Sequence, residues 1–276
     1  MSNWQQELTE QGYCVIKVLS EKEVEYGKSL FQNWWNSNNI GKRPLSSHGV
    51  IKHYNVGHTA FAWWCRTRPS IQKIFKQIWQ TEDLIVSYDG ACYYPSGLKR
   101  KTVNWLHVDQ EPNDSSFKCV QGFVCFTENQ KSTLMVVPKS HLEHESYMKT
   151  HNLTHNKAWQ KVDVPLERAI HVKVKPGDLV LWDSRVFHQN SYSPEERLVQ
   201  YVCYLPRSLA NSANLKKREK YFNEKRTTSH WPTPVRVNGL QPQIFGKKEL
   251  LIDYSSLINT DKEIFKELSQ EIKCLV

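Results

Sequence analysis

Apolar and polar residues are spaced as in helices over the first part of the chain. The stretch 21–36 has a helical period, and Ser20 opens it with the capping box "SEKE". Two shorter helices are expected within 59–80, separated at Pro69, because proline interrupts the hydrogen bonds of a helix. These segments predict a helical frame over residues 1–80.

Between Leu84 and Pro206, apolar and polar residues are no longer spaced as in helices. Eight short β-rich runs are separated there by turns. This pattern is typical of a jelly roll or a related sandwich. The tail is helical again at 211–225 and 260–275, and no internal repeat or linker interrupts the chain. We therefore predict a mainly β fold with flanking α-helices. The predicted domain is residues 1–276, with a β core at about 84–206 and a helical frame at 1–80 and 207–276.

Composition agrees with a folded protein of the cytoplasm. Of the 276 residues, 39% are hydrophobic and 12% aromatic, which excludes a disordered chain. No apolar run approaches the roughly 20 residues of a membrane span. The first residues lack the layout of a signal peptide. The seven cysteines are scattered and never spaced as C-x-x-C, which favours a reduced, cytoplasmic protein without a zinc ribbon.

The formal net charge of +9 is partly clustered, at 99–101 and at 216–226. An excess of positive charge favours anionic partners, including phosphates, nucleic acid and acidic metabolites. The second cluster is also what a solvated helix face would show, and we favour that interpretation. No RNA- or DNA-binding module is recognisable. The net charge therefore indicates only that anionic substrates are preferred.

One short motif, "HVDQEP", places His107 two residues before Asp109. Such a pair arises easily by chance, but at a strand end alternation sends both side chains to the same side. A mononuclear iron site for oxygen chemistry needs two histidines and one carboxylate. The segment "KPGDLVLWDSRVFHQN" supplies His188 from a later strand. Nine residues further, Arg197 opens another strand and could form a bidentate pair with a carboxylate beside the metal.

This set of residues resembles the phytanoyl-CoA dioxygenase-like family of Fe(II)- and 2-oxoglutarate-dependent oxygenases. The resemblance lies in "WLHVDQ", in "VVPKSH" (136–141), and in "PGDLVLWDSRVFHQNS" followed by Arg197. The opening "LTEQGYCVIKVLSEKEVE" is also similar to the N-terminal strand and helix of the family. Together these motifs cover roughly residues 8–206.

The resemblance implies a double-stranded β-helix of the cupin-like type. It also implies that His107, Asp109 and His188 bind Fe(II) and form the catalytic centre. Arg197 would hold the distal carboxylate of 2-oxoglutarate. Asn190 stands where the family often has a hydroxyl residue that contacts this co-substrate. O2 would be the second co-substrate.

The presence of Asp109 bears on the reaction. In related halogenases this position is Gly or Ala, which opens a site for halide. The resemblance therefore implies hydroxylation, or another two-electron oxidation, coupled to conversion of 2-oxoglutarate to succinate and CO2. The alternative is a binding or regulatory protein on an inactive oxygenase scaffold. The presence of all four site residues favours the enzyme.

The substrate is not named by the sequence. We favour a small molecule, preferably anionic, while a protein side chain and a nucleobase stay open. Lys99, Arg100 and Lys101 precede the metal strand and could contact an anionic substrate, or form a solvated loop. The loop 41–58 and the segment 94–101 are expected to cover the open side of the metal.

Other chemistry-bearing residues have two interpretations each. Arg185 could pair with Asp183 or line the substrate pocket. Trp63 and Trp64 are expected in the core rather than in a pocket wall. Four histidines at helical spacing could bind zinc, but the polar segment favours a solvated helix. They are His141, His144, His151 and His155. In the "VVPKSH" turn, Lys139 replaces the usual glycine.

Overall fold

The computed structural model describes residues 2–45, 49–97, 99–155, 157–243 and 246–276. The helices are α1 (Asn3–Gln11), α2 (Glu21–Ser37), α3 (Ala60–Arg66), α4 (Pro69–Trp79), α5 (Ser140–Thr150), α6 (Ser212–Asn223), α7 (Lys262–Glu267) and α8 (Ser269–Leu275). The strands are β1 (Tyr13–Lys17), β2 (Val50–Ile51), β3 (Leu84–Val86), β4 (Ala91–Tyr94), β5 (His107–Val108), β6 (Val120–Cys125), β7 (Leu134–Val136), β8 (Gln160–Lys161), β9 (Ile170–His171), β10 (Asp178–Asp183), β11 (His188–Asn190), β12 (Arg197–Val202) and β13 (Tyr204–Pro206).

The chain folds into two compact units, each built from two stretches of sequence. The first comprises Met1–Lys17 and Tyr94–Arg197, and the second comprises Val18–Tyr93 and Leu198–Val276. All residues predicted for the catalytic site belong to the first unit. The assignment of 1–276 to a single oxygenase domain stays a prediction.

Antiparallel strands form the centre of the first unit. β10 pairs with β1 on one side and with β6 on the other. A second group runs in the order β8-β5-β11-β7-β9, and all of its pairs are antiparallel. Every residue of β6 is buried, as expected for a strand covered on both faces. β11 lies between β5 and β7, so its side chains have fixed neighbours on both sides.

The second unit contains the predicted N-terminal helices and part of the β structure. The Ser20 hydroxyl accepts a hydrogen bond from the Glu23 N–H at the start of α2, which confirms the capping box. Pro69 is the first residue of α4 and separates it from α3, as predicted. β4 pairs with β2, and β13 pairs with β3. Trp63 and Trp64 are buried in α3, which confirms their expected place in the core.

The predicted strands are confirmed, but some of them are shorter than the runs that predicted them. Each of the eight predicted runs contains a strand. The run 102–108 contributes only the two residues of β5, because the polar stretch before it forms loop contacts. The predicted tail helix 260–275 is divided at Leu268 into α7 and α8. Short strands such as β8 carry too little hydrophobic pattern to be recognised in the sequence.

The basic helix α6 departs from its prediction at one position. Arg218 is fully buried, whereas Lys216 and Lys217 are exposed as expected. Its guanidinium donates to the carbonyls of Leu275 and Pro232, among others, at 3.0 and 2.9 Å. A buried cation needs such acceptors, and here they include the backbone near the C-terminus. Where the chain is described, no helix combines the length and apolar character needed to cross a bilayer.

Candidate metal centre

The two predicted histidine ligands are brought together by strand pairing. His107 of β5 lies directly opposite His188 of β11 in the antiparallel register. Their ring centroids are 4.3 Å apart. Asp109 follows β5, and its backbone N–H donates to the Ser184 carbonyl at 3.1 Å. The alternation of the strand thus places His107 and Asp109 on one side, as the sequence predicts.

The three side chains point their ligand atoms at a common point. The distance from Asp109 Oδ2 is 3.3 Å to His188 Nε2 and 3.8 Å to His107 Nε2. All the offered ligand atoms lie within 4.8 Å of one another. Among the described residues, this is the one cluster of three or more such side chains with this geometry. Two imidazoles and one carboxylate on one side form the donor set that non-haem Fe(II) oxygenases use.

Backbone contacts fix which nitrogen of each ring is available. The Nδ1 of His188 lies 2.8 Å from the Val186 carbonyl, and the Nδ1 of His107 lies 3.3 Å from the Trp105 carbonyl. Because a carbonyl can only accept, each Nδ1 carries the proton and donates. In a neutral ring, Nε2 then carries the lone pair that a metal ligand must offer. The residues present therefore fit a divalent first-row ion.

The carboxylate is held by a residue that the sequence did not single out. Gln121 of β6 donates from Nε2 to Asp109 Oδ2 at 3.0 Å, and its side chain is buried. A hydrogen bond to one oxygen orients a metal-ligating carboxylate. No local pattern could have identified Gln121, because it meets Asp109 only after the strands have paired.

A second polar network supports the loop that follows Asp109. Ser184 Oγ donates to Gln110 Oε1 at 2.7 Å, and Gln110 Nε2 donates to the Ser116 carbonyl at 2.9 Å. Both Gln110 and Ser184 are fully buried. Buried and satisfied networks of this kind hold a single backbone conformation. The position of Asp109 is therefore set by β5 on one side and by this network on the other.

The predicted co-substrate residues are brought together next to the metal strand. Arg197 Nη1 donates to Asn190 Oδ1 at 3.0 Å, and the guanidinium of Arg197 lies 5.2 Å from the Phe123 ring centre. Asn190 stands two positions after His188 on β11, so both face the same side. Arg197 is 1% exposed. The arrangement places a buried cation on the face that carries the metal ligands.

Arg185 forms the structural pair that was one of its two interpretations. Its guanidinium donates from Nε and Nη2 to the two carboxylate oxygens of Asp183, at 2.9 and 2.6 Å. Nη1 donates to the Ser115 carbonyl at 2.6 Å. The Asp183–Arg185 pair is confirmed, and a substrate role for Arg185 stays a prediction.

The basic segment before β5 makes a contact with an aromatic ring. The Arg100 guanidinium lies 4.4 Å from the ring centre of Tyr192, a typical cation–π distance. Lys99 and Lys101 are exposed. Their contact with a substrate stays a prediction. The predicted cover 41–58 includes positions 46–48, which lie outside the described residues, and its role also stays a prediction.

In the part of the chain that the structure describes, the four histidines around α5 are not among the side chains whose ligand atoms converge, and the helix is less solvated than predicted. His141 and His144 are buried, and Nε2 of His141 lies 2.9 Å from the Thr9 carbonyl. Burial lowers the pKa of His144 below its usual value. His151 and His155 make local contacts instead. The helix packs against the unit along most of its length, through Ser140, His141, His144 and Met148, which the polar composition did not show.

The turn before α5 carries strain at the position where the resemblance leads us to expect glycine. Lys139 has φ +65°, in the left-handed region, and its N–H donates to the Gln11 carbonyl at 2.9 Å. A side chain at such a φ costs about 1–2 kcal/mol. The replacement of glycine is therefore tolerated rather than neutral.

Comparison with known proteins decides the family. Residues 8–191 match the sequence profile of phytanoyl-CoA dioxygenase (PhyH). The chain belongs to the phytanoyl-CoA dioxygenase family. It is 24% identical over 271 residues to Ava biosynthesis cluster protein O of Aspergillus versicolor, covering 83% of this chain and 86% of that protein. It is 21% identical over 225 residues to a putative phytanoyl-CoA dioxygenase of Dictyostelium discoideum, covering 66% and 64%.

Solved structures of similar fold agree with this family. The carbocyclase SnoK from nogalamycin biosynthesis, described as non-heme and alpha ketoglutarate dependent, has a TM-score of 0.54 at 16% identity, covering 75% of this chain and 84% of its own. HygX from Streptomyces hygroscopicus, with nickel and 2-oxoglutarate bound, has a TM-score of 0.51 at 13% identity, covering 75% and 88%. The predicted fold, a double-stranded β-helix with flanking helices, is confirmed.

Proposed function

We propose that this member of the phytanoyl-CoA dioxygenase family is an Fe(II)- and 2-oxoglutarate-dependent hydroxylase that releases succinate and CO2. The observation that carries the proposal is the geometry of His107, Asp109 and His188. Two Nε2 atoms, in rings whose Nδ1 atoms contact backbone carbonyls, and one oriented carboxylate converge within metal-binding distance. A structural metal site would instead be closed by a fourth protein ligand.

The chain supplies the means to hold both the ion and the co-substrate. When bound, iron would couple oxidative decarboxylation of 2-oxoglutarate by O2 to oxidation of the substrate. His107, Asp109 and His188 hold the ion on one side. Arg197 offers a planar guanidinium that matches a carboxylate, while Asn190 fixes its orientation by accepting from Nη1. Because this arginine is buried, water competes little with the co-substrate.

The comparisons support the proposal without naming the substrate. The family is named for a dioxygenase, and HygX was solved with 2-oxoglutarate and a divalent metal ion. SnoK, in contrast, is a carbocyclase, so the fold serves more than one outcome. We assign hydroxylation because Asp109 fills the position that a halide would need. The substrate we propose is a small molecule, with an anionic group favoured by the net charge of +9.

The alternative is a binding or regulatory protein on an inactive scaffold. The intact metal side chains and Arg197 favour the enzyme over this alternative. Titration of Mn(II) into the protein, followed by calorimetric titration of 2-oxoglutarate without O2, tests the proposal. We expect one ion per chain and a 2-oxoglutarate affinity that depends on the ion. Binding of 2-oxoglutarate with the same affinity in metal-free protein would contradict the proposal.

A further inference from the structure

The edge strand β8 pairs with β5, and one of its side chains lies on the face of the sheet that carries the metal ligands. In its antiparallel register with β5, Lys161 lies opposite His107 and Gln160 lies opposite Val108. Val108 points into an apolar cluster on the other side of the sheet. Since side chains alternate along a strand, Lys161 is on the side of His107, and the same alternation places Trp159, which directly precedes β8, on that side.

Ring contacts confirm this placement of Trp159. Its indole lies 5.8 Å from the His107 ring at an interplanar angle of 30°. Trp105 also stacks on His107, at 4.8 Å and 15°, and its Nε1 donates to the Asn190 carbonyl at 3.3 Å. Trp105 is therefore tied to the sheet by a hydrogen bond as well as by stacking.

Trp159 differs from Trp105 in its exposure to solvent. It is 52% exposed, although it touches a buried metal ligand. A large ring left half in water forgoes hydrophobic free energy, and tryptophan is enriched at interfaces, where one part of the side chain is apolar and the other is in contact with water. The exposed part of the indole offers a planar apolar surface to a molecule that approaches the metal ligands.

Lys161 adds a positive charge to the same face. It is exposed, and within the described part of the chain no carboxylate forms an ion pair with it. The backbone register opposite His107 places Lys161 on the strand that borders the metal ligands. Trp159, directly before β8, and Lys161, within it, thus combine a ring surface with a cation two positions apart.

We propose that β8 and the residue directly before it form a substrate-recognition edge, at which Trp159 stacks a planar ring of the substrate and Lys161 contacts an anionic group that the ring carries. This inference rests on the proposed function and specifies its substrate class. It differs from the basic segment at 99–101 because it requires a ring as well as a charge. An aliphatic anion or an uncharged ring would satisfy only half of the recognition.

The test uses 2-naphthoate as the probe, with protein loaded with Mn(II) and 2-oxoglutarate in the absence of O2. Bound Mn(II) broadens the proton NMR lines of any molecule held close to it, which reports position as well as affinity. We expect broadening of 2-naphthoate, weaker broadening of uncharged 2-naphthamide, and little broadening of cyclohexanecarboxylate. No broadening of 2-naphthoate, with Mn(II) bound, would overturn the inference.

Variants separate the two contacts. Trp159→Ala should weaken 2-naphthoate binding roughly tenfold, and Trp159→Phe should restore most of it, because a smaller ring still stacks. Lys161→Ala should weaken 2-naphthoate about threefold and leave 2-naphthamide unaffected, as for an exposed charge contact. The matched controls are Ile170→Ala, an exposed apolar residue of the opposite edge strand β9, and Lys173→Ala, which follows it; neither should change binding.

Failure of the inference is distinguishable from failure of the proposed function. Electron paramagnetic resonance of Mn(II) gives the occupancy of the metal site independently of the probe. If Trp159→Ala binds 2-naphthoate as tightly as the wild type, or if it lowers Mn(II) affinity without changing probe affinity, Trp159 merely shields His107 and the inference is overturned. If the wild type retains no Mn(II), the proposed function fails first.

Discussion

His107 and His188 are direct partners in an antiparallel ladder, with their rings 4.3 Å apart, although 81 positions separate them in the sequence. Backbone pairing, rather than a flexible loop, sets the distance between them. A site built on strands holds its geometry before any ligand arrives. Asp109 gains the same rigidity from Gln121 and from the loop network behind it.

Arg197 is predicted to govern affinity for 2-oxoglutarate. Arg197→Ala should weaken co-substrate binding by about 2–5 kcal/mol, because a buried carboxylate would lose its charged partner. Arg197→Lys should recover only part of this loss, since one ammonium cannot reproduce the planar fork. The measurements are the KM for 2-oxoglutarate and the affinity for iron. If the alanine variant has the same KM for 2-oxoglutarate as the wild type, another basic residue binds the distal carboxylate of the co-substrate.

Gln121 is predicted to tune the metal site through Asp109. Gln121→Leu removes the donor to Oδ2 at similar size and should lower affinity for Mn(II) roughly 10- to 100-fold. Equilibrium dialysis measures this affinity, and circular dichroism checks the fold. Gln130→Leu, at an exposed position, is the matched control. Wild-type affinity in Gln121→Leu would show that the hydrogen bond does not orient the carboxylate.

The basic segment at 99–101 is predicted to act by long-range attraction. Binding of an anionic probe such as 2-naphthoate should weaken as salt rises, because charges are screened beyond about 10 Å at 0.1 M. Replacing Lys99, Arg100 and Lys101 together by Ser should weaken the probe at low salt and flatten the salt dependence. The control replaces Lys216, Lys217 and Lys220 of α6 by Gln, which removes the same number of positive charges elsewhere on the protein. An unaltered salt response in the serine variant would identify an ordinary solvated loop.

The strained turn before α5 gives a prediction for stability. Lys139→Gly should raise the free energy of unfolding by about 1 kcal/mol, because glycine adopts φ +65° without a steric penalty. Urea unfolding measures this change. Lys149→Gly, inside the last turn of the same helix, should lower stability by up to about 1 kcal/mol. A Lys139→Gly variant of lower stability would show that the lysine side chain compensates for its backbone strain.

Much of the site was accessible from the sequence because its signals are local. His107 and Asp109 stand two apart at a strand end, and His188 follows a turn and a buried strand with clear apolar pattern. The helices with caps or proline boundaries were also recognisable, as at Ser20 and Pro69. Each of these signals lies within a few residues of the feature that it predicts.

The remainder depends on contacts between distant segments. Gln121 acquires its role only when β6 brings it to Asp109, and Trp159 only when β8 pairs with β5. The burial of His144 and Arg218 is likewise set by packing, against the polar character of their own helices. The buried guanidinium of Arg218 needs acceptors, and it finds them in the carbonyls of Pro232 and Leu275, so local pattern cannot reveal its burial.

The central claim is tested most directly by succinate release from 2-oxoglutarate, measured without added substrate, in the wild type and in His188→Ala. We expect the wild type to release succinate only with both Fe(II) and O2, and His188→Ala to lose metal retention and turnover while staying folded. His151→Ala, an exposed histidine of no predicted catalytic role, is the control for the loss of an imidazole. Succinate release by His188→Ala at the wild-type rate, or none from iron-loaded wild type, would contradict the account.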